Sequence, residues 1–327
     1  MNHWIPLLLV ALFMFAGGCS ASRPAMPPLA SIEGIPGHFR EGRIIDLDRG
    51  TSVSFEQLID QLQSKSVIFV GEVHDNPEHH LMEVQILQAL MARYGPFTVA
   101  MEVFDRSRQP VLDRYMENEI TETAFLRDVD WDNGWGFPYY FYRPIILLAK
   151  ERGKALLGIN LPHNTARKVA RSGLGSLTPE ERQDVAAEIN LNNEMHRNYL
   201  KEVFKEHSHP QIKNFDYFYQ AQCAWEETMA ENIARYLRDN AGKMVVFTGN
   251  GHILNRFGVP DRVLGRIEVD MATIVLYPLT DRSIINKNMA DYVWLTSGCR
   301  SQGHRSHNTE FRRTGDRLQN ENSTRKD

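Results

Sequence analysis

The chain has 327 residues, 42% of them hydrophobic and 24% charged, with a formal net charge of -4. That balance suits a globular protein of one large domain or two small ones and excludes a chain too polar to bury a core. No dense Lys/Arg stripe crosses its interior, so the sequence offers no electrostatic footprint for nucleic acid, which is not expected as a partner.

In chain order, MNHWIPLLLVALFMFAGGCSAS comes first, with an apolar run over residues 5–16 that is too short to span a bilayer comfortably. It predicts an export signal over residues 1–18. AGGC, ending at Cys19, resembles a bacterial lipobox with Ala16 where Leu is more usual. Cys19 is then the expected lipidated first residue, and acyl chains rather than a helix are expected to hold the protein at a membrane. Residues 19–37, rich in Ser, Pro, Ala and Gly, read as a tether. The other cysteines, Cys223 and Cys299, are too few and too distant for a disulfide framework or a Cys-rich metal site.

Residues 38–298 predict one folded domain. Short apolar segments alternate with helical patterns: 67–70 then 78–93, 97–104 then 109–117, 155–161 then a long helical region, and finally 244–248 and 274–279. Such alternation points to an α/β fold with a mostly parallel central sheet flanked by helices, in which ligands bind beyond the carboxyl ends of the strands. Residues 163–240 are expected to add a helical lobe, since PEERQDVAAEINLNNEMHRNYLKEVFKEH and FDYFYQAQCAWEETMAENIARYLRDN both carry helical spacing. Tyr217, Tyr219 and Trp225 are expected to fill the core of that lobe. Residues 299–327 contain almost nothing apolar and predict disorder.

Three strand ends carry polar residues that a parallel sheet would bring together. The first strand runs into Glu72 and His74. FTVAMEVF holds Glu102 in an apolar run, where an unpaired carboxylate would be costly, and MVVFTGNGH ends in His252. Convergence of Glu72, His74, Glu102 and His252 would suit a divalent ion such as Zn²⁺ or Mn²⁺, or metal-free general base chemistry with His partnered by Glu. His79 and His80 follow Asn76 and Pro77, a helix cap and first position, and read mainly as first-turn residues, with a ligand role for one of them as the alternative. The aromatic stretch WDNGWGFPYYFYRP offers Tyr139, Tyr140 and Tyr142 as the lining of a flat apolar cleft, against the alternative of simple aromatic packing. His163, just beyond the third strand, is a candidate for the rim.

Taken together, GEVHDN, MEVF, YYFYRP, GINLP, FDYFYQAQCAWEETMA and GNGH resemble the ChaN family of haem-binding lipoproteins over residues 45–279. That family belongs to a larger group with the Tiki-type proteases, which carry two G-x-x-H motifs, and with erythromycin-esterase-like hydrolases. Both motifs are present here, at residues 71–74 and 249–252. The resemblance implies a lipoprotein of the bacterial outer membrane, its folded domain periplasmic, that takes up haem as a homodimer and works with an outer-membrane haem receptor. Tyr139, Tyr140, Tyr142, Arg143 and His163 are then candidate haem contacts, with Arg143 near a propionate. Likeness to the hydrolases implies instead a metal-dependent peptidase or esterase, with Glu72, His74, Glu102 and His252 as its metal-binding or catalytic residues.

Overall fold

The computed structural model describes residues 28–206, 212–280 and 283–298. The expected export signal, Cys19 and the tail from residue 299 onward lie outside the described residues. Within them, no helix is long and apolar enough to cross a membrane.

The chain enters the fold at β1 (Ala30–Ile32) and β2 (Ile35–Phe39), which pair antiparallel with Ala30 and Ile32 buried. The last part of the expected tether is therefore built into the domain, because its few apolar residues find a partner in a late strand described below. A hairpin of β3 (Ile44–Asp46) and β4 (Thr51–Val53) leads to α1 (Phe55–Gln61), capped by Ser54. Then come β5 (Val67–Glu72), α2 (Pro77–Tyr94) and β6 (Thr98–Asp105). Four helices follow: α3 (Gln109–Met116), α4 (Glu122–Asp128), α5 (Trp131–Gly134) and α6 (Tyr139–Arg152). After β7 (Ala155–Asn160) the chain forms α7 (His163–Ser172), α8 (Glu194–Glu206) and α9 (Phe215–Asp239). It closes with β8 (Met244–Gly249), α10 (Val259–Leu264), β9 (Met271–Pro278), β10 (Ile284–Ile285) and β11 (Tyr292–Thr296).

The main sheet has the order β4-β3-β11-β9-β5-β8-β6-β7, with β10-β1-β2 as a small second sheet. From β11 to β7 every pairing is parallel, and the β3–β4 hairpin adds an antiparallel edge. Strand β5 is buried along its whole length, and its side chains alternate between two cores. Ile68 and Val70 pack with Ile86, Leu90, Phe125 and Ile145 on one face, while Val67 and Phe69 pack with Met229, Ile233 and Val263 on the other. Helices thus cover both faces, as the continuous apolar strands predict.

A third core joins Val169 of α7, Leu200 of α8 and Phe218 and Tyr219 of α9. This is the expected lobe, although residues 177–193 are mostly non-helical. Their backbone is taken up by side chains of α9: Ala186 N–H donates to Thr228 Oγ1 at 3.0 Å, Ala187 to Glu231 at 2.9 Å and Asn190 to Glu227 at 3.0 Å. Those bonds replace the intrahelical ones that the spacing of PEERQDVAAEIN predicts.

Strand β8 forms late and inserts between β5 and β6, which sets Glu72 in register with Gly249 and lays the two G-x-x-H segments side by side. Their contact leaves no room at Gly71, where a Cβ would meet the Asn250 side chain and come within 2.6 Å of Ile253 Cδ1. Gly71→Ala is expected to destabilise the fold by about 1–3 kcal/mol. Calorimetry reads this as a lowered Tm, and an unchanged Tm would contradict the close packing of the two turns.

Candidate functional site

The cap of α2 determines much of the geometry. Asn76 accepts the Glu78 N–H at 3.0 Å, and with Pro77 at the first position the helix starts directly over the end of β5. His79 and His80 therefore point inward and are buried. His79 Nδ1 accepts the Val73 N–H at 2.9 Å and its Nε2 lies 3.0 Å from Thr296 Oγ1, so it ties the turn to β11 as a neutral ring. Burial holds it so, pushing its pKa down to about 4.

His80 joins the cluster. Its Nε2 lies 3.0 Å from Glu72 Oε2 and its Nδ1 2.9 Å from Glu83 Oε2, one turn further along α2. Phe141 stacks on the ring at 4.8 Å. Burial opposes the charged imidazole, but Glu72 and Glu83 outweigh it and raise its pKa to about 10. Glu72 Oε1 faces His74 Nδ1 at 2.7 Å and accepts the Tyr142 hydroxyl at 3.3 Å. Burial again opposes the charge, and the two imidazoles still hold Glu72 far below the usual carboxylate range.

A second carboxylate–imidazole pair sits on the next strands. Glu102 Oε2 accepts Thr248 Oγ1 at 2.5 Å and the Gly249 N–H at 2.7 Å, and its Oε1 lies 3.3 Å from His252 Nε2. On the far side, His252 Nδ1 is 3.5 Å from Glu226 Oε1, which is also 3.5 Å from His196 Nε2. Arg262 completes this network, pairing with Glu226 at 3.2 Å and with Glu227. Glu102 and Glu226 are both held low, since His252 for one and His196, His252 and Arg262 for the other overcome the cost of burial. His74 bridges the two motifs sterically: a Cβ on Gly249 would lie 2.9 Å from its Nε2. Trp135 and Phe137 cover its other side at ring distances of 5.0 and 5.2 Å.

Glu72, His74, Glu102 and His252 thus meet at the strand ends, arranged as two pairs rather than as four ligands round one point. All four are buried, His74 being the most exposed at 9%. The three tyrosines do not converge. Tyr142 is buried against Glu72, Tyr139 donates to Glu122 at 2.8 Å, and Tyr140 is 67% exposed. Arg143 is exposed and binds both oxygens of Glu122, at 2.6 and 3.0 Å. His163 stands half-buried at the start of α7, edge-on to Trp225, whose ring in turn faces His252 at 5.4 Å. His80, for which the sequence kept a ligand role open only as an alternative, is joined by Glu83, Glu226 and Arg262, which sequence reasoning missed. Charged residues on the apolar faces of α2 and α9, in HLMEV and AWEETMA, were the signal for Glu83 and Glu226.

These shifts fix the pH profile of the metal-free protein. Glu72, Glu102 and Glu226, lowered from an ordinary 4.5, supply stability that is present above about pH 4.5 and lost as pH falls towards their folded values. His80, raised from 6.5 to about 10, supplies stability that is present below pH 6.5 and lost as pH rises through 10. Glu83, pushed up to about 7 by burial and by Glu72, and His79, pushed down to about 4, act in opposite senses between those values and largely offset one another. Tm is expected to peak between about pH 4.5 and 6.5, and His80→Gln should flatten the alkaline limb. A thermal melt series from acid to alkaline pH checks both, and an alkaline limb unchanged in the variant would contradict the assignment.

A family model described as haem-binding uptake, Tiki superfamily, ChaN matches residues 58–263. Among solved structures, the chain is similar to ChaN of Campylobacter jejuni with cofacial haem binding, with a TM-score of 0.61, 20% identity, and coverage of 77% of this chain and 95% of that one. It also matches an erythromycin esterase mutant in its open conformation, with a TM-score of 0.44, 14% identity, and coverage of 72% and 76%. A Bacillus cereus protein gives a TM-score of 0.38, 15% identity and 68% coverage of each chain. No curated protein matches in sequence. With the parallel sheet, the paired motifs at its strand ends and a family match over most of the folded domain, the chain belongs to the ChaN family of the Tiki superfamily.

Proposed function

We propose that the protein binds haem on the surface around Tyr140 and serves haem uptake as a lipoprotein of the bacterial outer membrane. One observation carries the choice of surface. The described residues include all eleven tyrosines, and Tyr140 is the one among them that is exposed. A phenolate that binds haem iron must be reachable from solvent. Tyr139 and Tyr142 are tied to carboxylates, and burial together with Glu122 and Glu72 respectively holds both phenols protonated.

The neighbourhood suits the ligand. Tyr140 packs edge-on to Phe141 at 4.7 Å, and Phe141 stacks on His80, whose neighbour Leu81 is 70% exposed. Arg143, one turn along α6 and exposed, is held by Glu122 through Nε and Nη2, and would meet a propionate through Nη1. Haem itself supplies the iron and a wide apolar ring, and the chain supplies a tyrosine, an apolar border and a cation. A haem held on an exposed tyrosine leaves its other face uncovered, which favours a homodimer in which a second copy closes over it. If Cys19 is lipidated, ten residues separate the anchor from Ala30, a reach of about 35 Å when extended, which keeps the folded domain near the membrane and any haem receptor there.

A second reading, hydrolysis, draws on the Glu72–His74 and Glu102–His252 pairs at the sheet's switch point. Trp135 and Phe137 cover His74, so that reading also requires the aromatic segment to move. It would be supported by turnover of peptide or ester substrates that is lost in His252→Gln.

Haem titration followed in the Soret band tests the main reading. Tyr140→Phe is expected to weaken binding at least tenfold, about 1.4 kcal/mol, with Tm unchanged because the side chain is exposed. Equal Soret titrations for the variant and the unaltered protein would remove Tyr140 from the site.

A further inference from the structure

We infer that Glu72, His80 and Glu83 form a binding site for one divalent transition-metal ion, separate from the haem surface and different from the pairing of His74, Glu102 and His252. One donor atom from each of the three residues lies within 4.8 Å of the other two. Ligands on opposite sides of an ion with bonds of about 2.1–2.4 Å stand about 4.2–4.8 Å apart, so the set matches one coordination sphere. The nearest separation agrees: His80 Nε2 stands 3.0 Å from Glu72 Oε2, whereas the 2.9 Å contact of Glu83 Oε2 is with the other ring nitrogen, Nδ1, so Glu83 would turn a carboxylate oxygen towards an ion held between Glu72 and Nε2. Two bonds of about 2.1 Å at right angles give about 3.0 Å.

The carboxylates carry the independent observation. Glu83 is 0% exposed, and its Oε1 has no hydrogen-bond donor. Glu72, 4% exposed, has its Oε2 beside His80 Nε2, yet that ring nitrogen is bonded to the His74 carbonyl at 3.1 Å and gives Oε2 no well-aligned hydrogen. Buried carboxylate oxygens are ordinarily satisfied, and two orphans on the carboxylates that flank one imidazole mark a place where something is bound. Charge points the same way. Two buried carboxylates repel one another, and a divalent ion with a neutral imidazole would neutralise both.

The support around the set is already in place. His74 and the Tyr142 hydroxyl hold Glu72 Oε1 and so aim Oε2, while Phe141 stacks on the His80 ring and fixes its plane. One imidazole and two carboxylates suit Mn²⁺, Fe²⁺ or Zn²⁺ better than Ca²⁺, which prefers an all-oxygen shell.

The test uses purified full-length protein stripped with chelator and titrated with Mn²⁺, bound ion being read from loss of the free-Mn²⁺ EPR signal. One Mn²⁺ per chain and a rise in Tm at saturation are expected. Glu83→Gln should weaken binding at least tenfold and abolish the Tm rise, while its metal-free Tm is no lower than that of the stripped unaltered protein, since a buried charge is removed. Glu83→Asp, which keeps the charge but draws the oxygens back, should show the same loss of affinity. Absence of stoichiometric binding overturns the inference, as does binding that survives both Glu83 variants or is lost in His252→Gln instead. Soret titrations of the same samples report haem binding separately, so failure of one result leaves the other readable.

Discussion

A carboxylate at the buried end of a central parallel strand is the constraint on which the site depends. Glu72 closes β5 between two cores, where an unpaired anion would cost several kcal/mol. It stays ionised because His74 and His80 approach it from two sides, one from the turn and one from the following helix. Glu102 repeats the arrangement two strands away with Thr248, Gly249 and His252. Breaking either pair by removing one partner would cost about 3–5 kcal/mol, a large part of the total stability of a domain. The caps, glycines and aromatic cover around these groups follow from that requirement.

The chain order converts local sequence into a shared site. Strands β5 and β6 are formed early and leave a gap that β8 fills after the helical lobe has been traversed. Histidines and carboxylates more than 170 residues apart then fall within one layer of the sheet. The lobe is part of the same electrostatic unit, since Glu226 of α9 holds His252 on the side away from Glu102 and is itself held by His196 and Arg262. Loss of the α9 contacts would therefore reach the strand ends through charge as well as through packing.

Much of this was legible in the sequence. Continuous apolar runs identified the parallel strands, and the rule that ligands gather at their carboxyl ends singled out Glu72, His74, Glu102 and His252 before any coordinates. The short edge strands β3 and β4 and the late strand β11 were not legible, because three to five residues carry little periodicity. Residues 177–193 misled through good helical spacing, since tertiary bonds to α9 outcompeted propensity. His80 was read mainly as a first-turn residue, which it is, but nothing in its spacing shows that this face of the helix is buried against Glu72. Composition alone could not separate the three tyrosines either, because their roles follow from rotation about α6.

The close approach at Gly249 has a consequence for how such a chain can change. His74 occupies the volume that any side chain at position 249 would need, so the first and second G-x-x-H motifs behave as one steric unit although they are far apart in the sequence. A variant that loses His74 frees position 249 to acquire a side chain. A chain that fills position 249 must also move the His74 ring, and the two positions are therefore expected to change together.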